Sequence, residues 1–278
     1  MAAHQSILFL ASVLALLAPL LALDIENLER LKANLDEIIN LHSDEPHHGK
    51  GRANMQQSRA SDPRQTEHRS WPKDCSEVSA GSPSGVYVIY PTGLHPIVVY
   101  CEMNVTDGGW TVIQRNQQST EITWAESWST YKYGFGNVHT EYWLGTEYIH
   151  QISKQNVYQV RFVIWNAANN MSFADYNLFG VEDESHGYRL RLGTYSGTAG
   201  DAMTSNSAST LHDNMKFSAK DLDQDTSSGN CASSYGGGWW YSACYSVRLN
   251  IKGGMTWGSL CNGNCKASAI LIKPASYC

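Results

Sequence analysis

The stretch Asp107-Gly-Gly-Trp-Thr-Val-Ile-Gln-Arg115 places three turn-forming residues directly before an apolar run. Similar short apolar or alternating runs, separated by turn residues, recur at residues 85–90, 97–100 and 158–165. Runs of this length between turn residues are typical of β-strands. Residues 147–153, which precede the last of these runs, are predicted to form a short helix.

The later part of the chain, residues 199–265, has a different character. It is rich in Gly, Ser and Asn and shows little hydrophobic periodicity, yet it contains a dense group of Trp, Tyr and Cys residues. A long irregular segment cannot pair its backbone polar groups through strand ladders. We therefore expect disulfides or bound ions to keep this segment folded.

The composition excludes one class of function and favours another. The chain has 278 residues, of which 42% are hydrophobic, so it can bury a sizeable core. Its formal net charge is −6, and a basic surface that could neutralise nucleic-acid phosphates is lacking. The 9 Trp and 15 Tyr residues suit a loop-rich domain whose rings fill a core or face a ligand.

The N-terminal segment predicts secretion. Residues 7–21 are almost wholly apolar, but the run is too short and too interrupted by Pro19 to span a bilayer well. The small residue Ala22 follows, and then the charged Asp24. We therefore predict a signal peptide over residues 1–22 and an extracellular location. An uncleaved anchor is the alternative, because no Lys or Arg precedes the apolar run.

Residues 23–42 are predicted to contain a short helix with one apolar seam. The apolar positions, spaced by three, four and three residues, are Leu28, Leu31, Leu35 and Ile38. Two heptads are marginal for an independent coiled coil. The helix is therefore either an oligomerisation stub or a helix that packs on its own domain. Residues 43–73 are polar without a hydrophobic period, which predicts a flexible linker.

Seven cysteines follow the linker, and in a secreted chain they are disulfide partners by default. They are Cys75, Cys101, Cys231, Cys244, Cys261, Cys265 and Cys278. An odd number leaves at least one free or joined to another chain, and the last residue, Cys278, is the easiest to spare. A homo-oligomer linked through Cys278 or through the N-terminal helix is predicted. Two sequons, Asn104-Val-Thr106 and Asn170-Met-Ser172, permit glycosylation.

A calcium site is suggested by the segment Asp221-Leu-Asp223-Gln-Asp225. Alternating carboxylates in a polar loop can bring hard oxygen ligands together on Ca²⁺. The segment is not an EF-hand, because Thr226 stands where that loop needs Gly and Ala232 stands where it needs Glu. Backbone carbonyls downstream would have to complete the site. The alternative is a solvated acidic turn without a metal.

Cys231 and Cys244 frame a cluster of rings just after this loop. The enclosed aromatic residues are Tyr235, Trp239, Trp240 and Tyr241. A disulfide between the two cysteines would close a short loop and restrict the unfolded chain by about 3 kcal/mol. The rings could then line a shallow sugar or acetyl pocket. Alternatively, they form a small aromatic core beneath the disulfide.

Several motifs together resemble one family. The stretch 107–115 is similar to the opening signature of fibrinogen C-terminal domains. Further matching segments are Tyr133-Gly-Phe-Gly-Asn137, Tyr142-Trp-Leu-Gly145, Tyr195-Ser-Gly-Thr-Ala-Gly-Asp201, Asn230-Cys-Ala232 and Trp239-Trp-Tyr241. The resemblance runs in the family's order from Cys75 to the end of the chain. This domain occurs in fibrinogen chains, ficolins, tachylectins, angiopoietins, tenascins and microfibril-associated glycoproteins.

The resemblance implies an α+β fold over residues 74–278. A small N-terminal part would hold a Cys75–Cys101 disulfide. A central, mostly antiparallel sheet would be flanked by short helices, and a loop-rich, calcium-binding C-terminal part would hold Cys231–Cys244. The last expected strand covers Ile270-Leu-Ile-Lys-Pro274.

The resemblance also assigns a calcium set. In the family, two Asp side chains and two backbone carbonyls bind the ion. Counting back from Cys231 places these on Asp223 and Asp225, with carbonyls from Ser227 and Gly229. Asp221 would lie outside the set of ligands.

The ligand pocket of the family's lectin members is implied beside the calcium. Tyr235 and Trp240 are the rings expected there, and the Ala243–Cys244 peptide bond is expected to be cis. Tyr245 stands where the family commonly has His.

One segment of the chain departs from the family's pattern. Only seven residues, 250–256, separate Leu249 from Trp257, so an insert that usually closes the pocket is missing. We expect the next two cysteines, Cys261 and Cys265, to pair with each other.

Two functions are compatible with these residues and with the resemblance. The first is a calcium-dependent lectin of innate immunity that recognises acetylated or other glycans. The second is a secreted signalling or extracellular-matrix ligand that binds a cell-surface or matrix protein through the same C-terminal face. Enzyme activity is not expected, because a Ser or Cys nucleophile in a recognised elbow and zinc-spaced His or Cys residues are both lacking.

Overall fold

The computed structural model describes residues 71–204 and 207–275. The first six strands are Gly85–Ile89 (β1), Ile97–Glu102 (β2), Trp110–Gln117 (β3), Phe135–Gly136 (β4), Tyr142–Trp143 (β5) and Tyr158–Trp165 (β6). The next six are Met171–Val181 (β7), Leu190–Leu192 (β8), Tyr195–Gly197 (β9), Val247–Arg248 (β10), Thr256–Trp257 (β11) and Ala267–Pro274 (β12). The α-helices are Trp128–Tyr133 (α1), Thr146–Ser153 (α2) and Cys231–Tyr235 (α3), and the short 3₁₀ helices are Cys75–Glu77 and Glu184–His186.

Ten of these strands form one sheet, and seven of them follow one path in the order β1-β2-β3-β12-β6-β7-β8. Strand β5 pairs with both β3 and β4, and β9 pairs with β7. All the strand pairings described in this sheet are antiparallel. The predicted α+β fold with a mostly antiparallel sheet is therefore confirmed. The strands and the helix expected at residues 85–90, 97–100, 158–165 and 147–153 are present within one or two residues.

Residues 106–109 form a tight turn that leads directly into β3. Thr106, Asp107, Gly108 and Gly109 all have positive φ, between 30° and 73°. A Cβ atom at Gly108 would lie 2.6 Å from the backbone oxygen of Met103, so only glycine fits there. Strand β3 then pairs with β2, β12 and β5, which places it deep in the sheet.

Helix α1 joins the sheet to the C-terminal part through an aromatic core. The helix begins after Ser127, whose side chain accepts a hydrogen bond from the Thr130 amide. Its buried Tyr131 contacts the rings of Trp143 and Phe217, with ring centroids 6.0 and 5.2 Å apart. The C-terminal part is thus packed against the sheet by large rings.

Buried polar side chains hold the irregular C-terminal segment in place. The side-chain amide of Asn116 on β3 donates to the carbonyls of Leu249 and Ile251, each at 2.8 Å. The Asn250 side chain donates to Gly238 O at 3.1 Å. These contacts replace strand pairing, because they satisfy backbone groups that a loop would otherwise leave unpaired.

His212 is fully buried and connects three backbone groups of the same segment. Its Nδ1 lies 2.8 Å from Trp240 O. Its Nε2 accepts hydrogen bonds from the amides of Ser246 and Val247, at 3.1 and 2.9 Å. This arrangement requires a neutral ring that donates through Nδ1. Burial lowers the pKa of His212 to about 4, which keeps the ring neutral near pH 7.

Three disulfides are present within the described residues. They join Cys75 to Cys101, Cys231 to Cys244, and Cys261 to Cys265, which are the expected pairs. Two of the three lie in the irregular C-terminal segment, where cross-links are most needed.

Several predictions fall on other residues. The signal peptide (1–22), the short helix (23–42), most of the linker (43–73) and Cys278 lie outside the described residues, so they stay predictions. At the end of the linker, Pro72 already contacts the domain, because its carbonyl accepts a hydrogen bond from Tyr90 N at 2.7 Å. In the part of the chain that is described, the helices are all too short or too polar to cross a bilayer.

Candidate calcium and ligand site

The acidic loop between residues 223 and 231 is folded by its own side chains. Asp223 Oδ1 accepts from the amide of Asp225 at 3.2 Å, and Asp225 Oδ1 accepts from the amide of Ser227 at 2.8 Å. The second carboxylate oxygen of Asp225 accepts from the amide of Cys231 at 2.8 Å. Each acidic side chain therefore fixes the backbone that follows it, and Asp225 spans the loop to the disulfide.

The far end of the loop is anchored at helix α3. Asn230 caps this helix, since its Oδ1 accepts from Ser233 N at 2.7 Å. Cys231 is the first helical residue, and its disulfide to Cys244 ties the helix to the neighbouring segment. The amide of Thr226 donates to Ser242 O at 3.1 Å, which adds a second connection between the two segments.

Asp221 has a separate role. Its Oδ1 accepts a hydrogen bond from the amide of Trp128 at 2.7 Å, across 93 residues of sequence. Trp128 is the first residue of α1, where a carboxylate satisfies a free amide and the positive end of the helix. Asp221 therefore stabilises the start of α1. Its carboxylate contacts the Trp128 amide and does not take part in the hydrogen bonds of Asp223 and Asp225.

The oxygen atoms of the loop suit a hard cation. The carboxylates of Asp223 and Asp225 are two residues apart, and the carbonyls of Ser227 and Gly229 follow in the same loop. Among the described residues, those two carbonyl oxygens accept no hydrogen bond. Carboxylates and free carbonyls are the ligands that Ca²⁺ prefers. The loop therefore fits the ion that its sequence predicts.

The electrostatics of the loop also suit a cation. Burial raises the pKa of Asp225, as does the adjacent negative charge of Asp223, while the amide hydrogen bonds from Cys231 and Ser227 lower it. A divalent cation would offset the repulsion between the two carboxylates. Within residues 71–204 and 207–275, there is no group of three or more His, Cys, Asp or Glu side chains arranged to hold a metal. A site in this loop therefore depends on backbone carbonyls as well as carboxylates.

An exposed tyrosine, Tyr235, and a half-buried one, Tyr245, form the aromatic surface beside the disulfide. Tyr235, at the end of α3, is 41% exposed, and its ring lies edge-on to Tyr245 with the centroids 5.0 Å apart. The guanidinium of Arg248 lies 4.7 Å from the Tyr245 centroid and 5.4 Å from that of Tyr235. Arg248 also donates to Tyr235 O and Gly254 O, at 3.4 and 3.2 Å. The two rings are therefore held in place by a cation that stacks on both.

The prediction that the Trp240 ring lines the ligand pocket is wrong. Its ring is 1% exposed, its Nε1 donates to Tyr188 O at 2.8 Å, and it packs against Trp143 and Phe217. Trp239 and Tyr241 are also fully buried. The alternative interpretation of these residues, a small aromatic core beneath the disulfide, is therefore the right one for them.

The remaining predicted ligand residues lie together on one segment. The Ala243–Cys244 peptide bond is cis, as expected, and Ala243 is exposed. Tyr245 follows directly, and its half-buried ring packs against that of Tyr235. His212 holds the next two residues through their amides. The segment that carries Tyr245 is therefore fixed at one end by the disulfide and at the other by the buried imidazole.

Arg248 and His212 are site residues that sequence reasoning missed. Arg248 is one of few cations near the ring cluster in sequence, and this proximity is a signal that could have identified it. His212 gave no comparable signal, because its partners lie 28 to 35 residues further along the chain.

The shortened segment between Leu249 and Trp257 does not build a pocket wall. Ile251 and Met255 point into the core, with exposures of 9% and 0%. Two clefts of about 310 and 280 Å³ lie elsewhere on the surface. Residues that line the first include His95, Val98, Tyr133, Phe135 and Tyr148, and residues that line the second include Arg115, Glu141, Trp165, Ala267 and Ala269. The Tyr235–Tyr245 surface is separate from both clefts.

Comparison with known proteins identifies the class to which this fold and loop belong. Residues 71–265 match the family described as the C-terminal globular domain of fibrinogen beta and gamma chains. The match covers most of the chain and includes the acidic loop, the tyrosine pair and the three disulfides described above. The chain therefore belongs to the fibrinogen C-terminal domain family.

Individual relatives agree with this assignment. The chain is 55% identical over 192 residues to a fibrinogen-like protein 1-like protein of Gallus gallus, covering 68% of each chain. It is 43% identical over 203 residues to fibrinogen-like protein A of Apostichopus parvimensis, covering 70% of each. It is 40% identical over 187 residues to human tenascin-R, covering 66% of this chain and 13% of that protein.

Solved structures agree with the fold. The fibrinogen-like globe domain of human ANGPTL2 superposes with a TM-score of 0.69 at 33% identity, covering 74% of this chain and all of that one. Lamprey fibrin D-dimer, complexed with the peptide Gly-His-Arg-Pro-amide, superposes with a TM-score of 0.69 at 26% identity. That match covers 96% of this chain and 89% of the fibrin chain.

Proposed function

We propose that this chain is a secreted recognition protein that binds acetylated or other glycans with the help of Ca²⁺, as in innate immunity, and that it has no catalytic role. The observation that carries the proposal is the Tyr235–Tyr245 pair, an exposed ring packed on a half-buried one, which follows a loop of oxygen ligands and is joined to it by the Cys231–Cys244 disulfide. Aromatic faces beside fixed polar groups are suited to shallow sugar binding.

Calcium would act through the loop. Bound by Asp223, Asp225 and the carbonyls of Ser227 and Gly229, the ion would fix the backbone that leads into α3. Because Tyr235 is the last residue of α3, a stiffer loop would hold its ring in one position. The ligand would then lose less free energy to ordering of the protein surface.

Several weak sites acting together would strengthen the binding. One exposed ring beside a half-buried one provides little contact area, so one domain alone would bind a glycan weakly. Linking domains through the N-terminal helix or Cys278 would raise the avidity without any new contact.

Affinity chromatography on immobilised N-acetylglucosamine tests the proposal. The calcium-loaded protein should be retained and should elute with EDTA or with free acetate. Tyr235→Ala should flow through the column. Tyr133→Ala is the matched control, because Tyr133 is 58% exposed but lies in the separate cleft near His95. Retention of Tyr235→Ala, or flow-through of the wild-type protein, would contradict the glycan proposal.

The second candidate is a ligand for a cell-surface or matrix protein. The short segment 250–256 is the observation that favours it, because its apolar side chains, Ile251 and Met255, turn into the core and leave the face without a pocket wall. Lamprey fibrin, a structural neighbour, is complexed with a peptide ligand. A protein that flows through the sugar column but binds an extracellular protein partner through Tyr235 and Tyr245 would support this candidate.

A further inference from the structure

We propose that Asn170 is an N-glycan acceptor of this protein and that Asn104 is not. The proposal rests on the proposed secretion, because N-glycans are added only to chains that enter the secretory pathway. Both asparagines lie in Asn-X-Ser/Thr sequons, so the sequence alone does not separate them. The contacts of the two sequons do.

Asn170 closes an exposed turn without using its own side chain. The turn joins β6 to β7, and the amide of Asn166 donates to Asn170 O at 3.0 Å. The Asn166 side chain folds the turn, because its Oδ1 accepts from the amides of Ala168 and Asn170, each at 3.0 Å. In the described part of the chain, the Asn170 side-chain amide itself takes part in no hydrogen bond. A sugar attached to its Nδ2 would therefore displace no contact.

The surroundings of Asn170 leave room for a glycan. Asn170 is exposed, and the next residue, Met171, is 61% exposed at the start of β7. Ser172, whose hydroxyl completes the sequon, pairs with Ile164 across the hairpin only through the backbone. A hydrophilic glycan at this position would lie over an apolar side chain that otherwise faces solvent.

Asn104 is engaged by the fold at both ends of its sequon. Its Nδ2 donates to Ser84 Oγ at 3.0 Å, and Ser84 in turn donates to Glu102. The hydroxyl of Thr106 accepts from Arg161 Nη1 at 2.7 Å. Arg161 is held by two hydrogen bonds to Asp175, so it cannot move away without cost.

The backbone around Asn104 is constrained as well. The sequon begins three residues after Cys101, which is bonded to Cys75, and it ends at Thr106, where φ is 30°. Addition of a glycan needs the asparagine amide and the hydroxyl to be accessible at the same time. Asn104 and Thr106 are exposed, but in the folded chain hydrogen bonds to Ser84 and Arg161 occupy both groups, whereas the Asn170 side chain in the β6–β7 turn stays unengaged.

Mass spectrometry of the secreted full-length protein tests the assignment. Release of N-glycans by a glycosidase in heavy-oxygen water leaves a labelled aspartate at each occupied position. We expect the label at residue 170 and none at residue 104. The glycosidase should increase the gel mobility of the wild-type protein and of Asn104→Gln, but should leave Ser172→Ala unchanged.

A second version of the chain, with an unrelated signal peptide in place of residues 1–22, separates this proposal from the proposed secretion. Failure of the natural chain to reach the medium, with glycosylation of the redirected chain at Asn170, would contradict secretion alone. An unlabelled residue 170 in the redirected chain, or a label at residue 104, would overturn the glycan assignment.

Discussion

The backbone N–H and C=O groups of the sheet and of the C-terminal segment find their hydrogen-bond partners in different ways. In the sheet, antiparallel strands such as β3, β12 and β6 pair with one another along most of their length. Residues 199–204 and 207–265 contain little regular structure, and buried side chains such as Asn116 and His212 bond to their backbone instead. A ladder tolerates changes of side chain, whereas a loop held by side chains depends on particular residues.

The largest expected effect on stability distinguishes a buried core ring from an exposed ring. Trp240→Ala should destabilise the protein by about 3–5 kcal/mol, because it leaves a cavity among Trp143, Phe217 and Trp239. Trp71→Ala, at a ring that is 53% exposed, should change the stability far less. Urea denaturation of the two variants measures the difference. A Trp240→Ala variant that keeps its stability and loses only ligand binding would show that Trp240 is a ligand-binding residue and not a core residue.

The next effect concerns the pH dependence of stability. The pKa of His212 is lowered from its usual value near 6.5 to about 4, so folding favours the neutral ring. The resulting stability is fully present above pH 6.5 and is lost as the pH falls from there through about 4. The loss is on the order of 3 kcal/mol.

Urea titrations between pH 7 and pH 4 check this prediction. His212→Gln should be less stable than the wild type at pH 7, and its stability should fall less steeply over this range. His186→Gln is the control, since the His186 side chain is 64% exposed. Equal pH profiles for the wild type and His212→Gln would show that His212 does not titrate in this way.

A smaller effect is expected at the junction of sheet and loop. Asn116→Ala should cost about 2 kcal/mol, because the buried carbonyls of Leu249 and Ile251 lose their donor. Gln117→Ala changes the next residue of the same strand, but this side chain is exposed and bonds only to Glu141, so its effect should stay within about 0.5 kcal/mol. Equal shifts of the urea midpoint for both variants would mean that Asn116 does not support the loop.

The regular half of the molecule was the more predictable one. The strand at 158–165 and the helix before it follow from turn residues and apolar runs, which are local signals. The acidic loop was recognised from its alternating carboxylates, and the cis bond at Ala243–Cys244 was expected from resemblance to the family. The Cys261–Cys265 pair was expected in the segment where the chain departs from the family's pattern, and the structure contains it.

The contacts that decide which rings and carboxylates face solvent near the acidic loop were harder to predict from the sequence. Tyr235 and Trp240 are aromatic residues within one short loop, yet one is exposed and the other is buried against Trp143, which lies far away in sequence. Asp221 looks like part of the acidic loop, but its partner is the amide of Trp128. Such assignments depend on tertiary neighbours, and the local sequence carries no signal for them.

Calcium titration by calorimetry most directly tests the central claim that the 223–229 loop is a cation site which stiffens the recognition surface. The wild type should bind Ca²⁺ at a single class of site, and Asp221→Asn should bind it equally well, since Asn can still accept the hydrogen bond from Trp128. The double variant Asp223→Asn/Asp225→Asn should remain folded at neutral pH and release no heat of binding. Absence of calcium uptake by the wild type, or unchanged uptake by the double variant, would contradict the account.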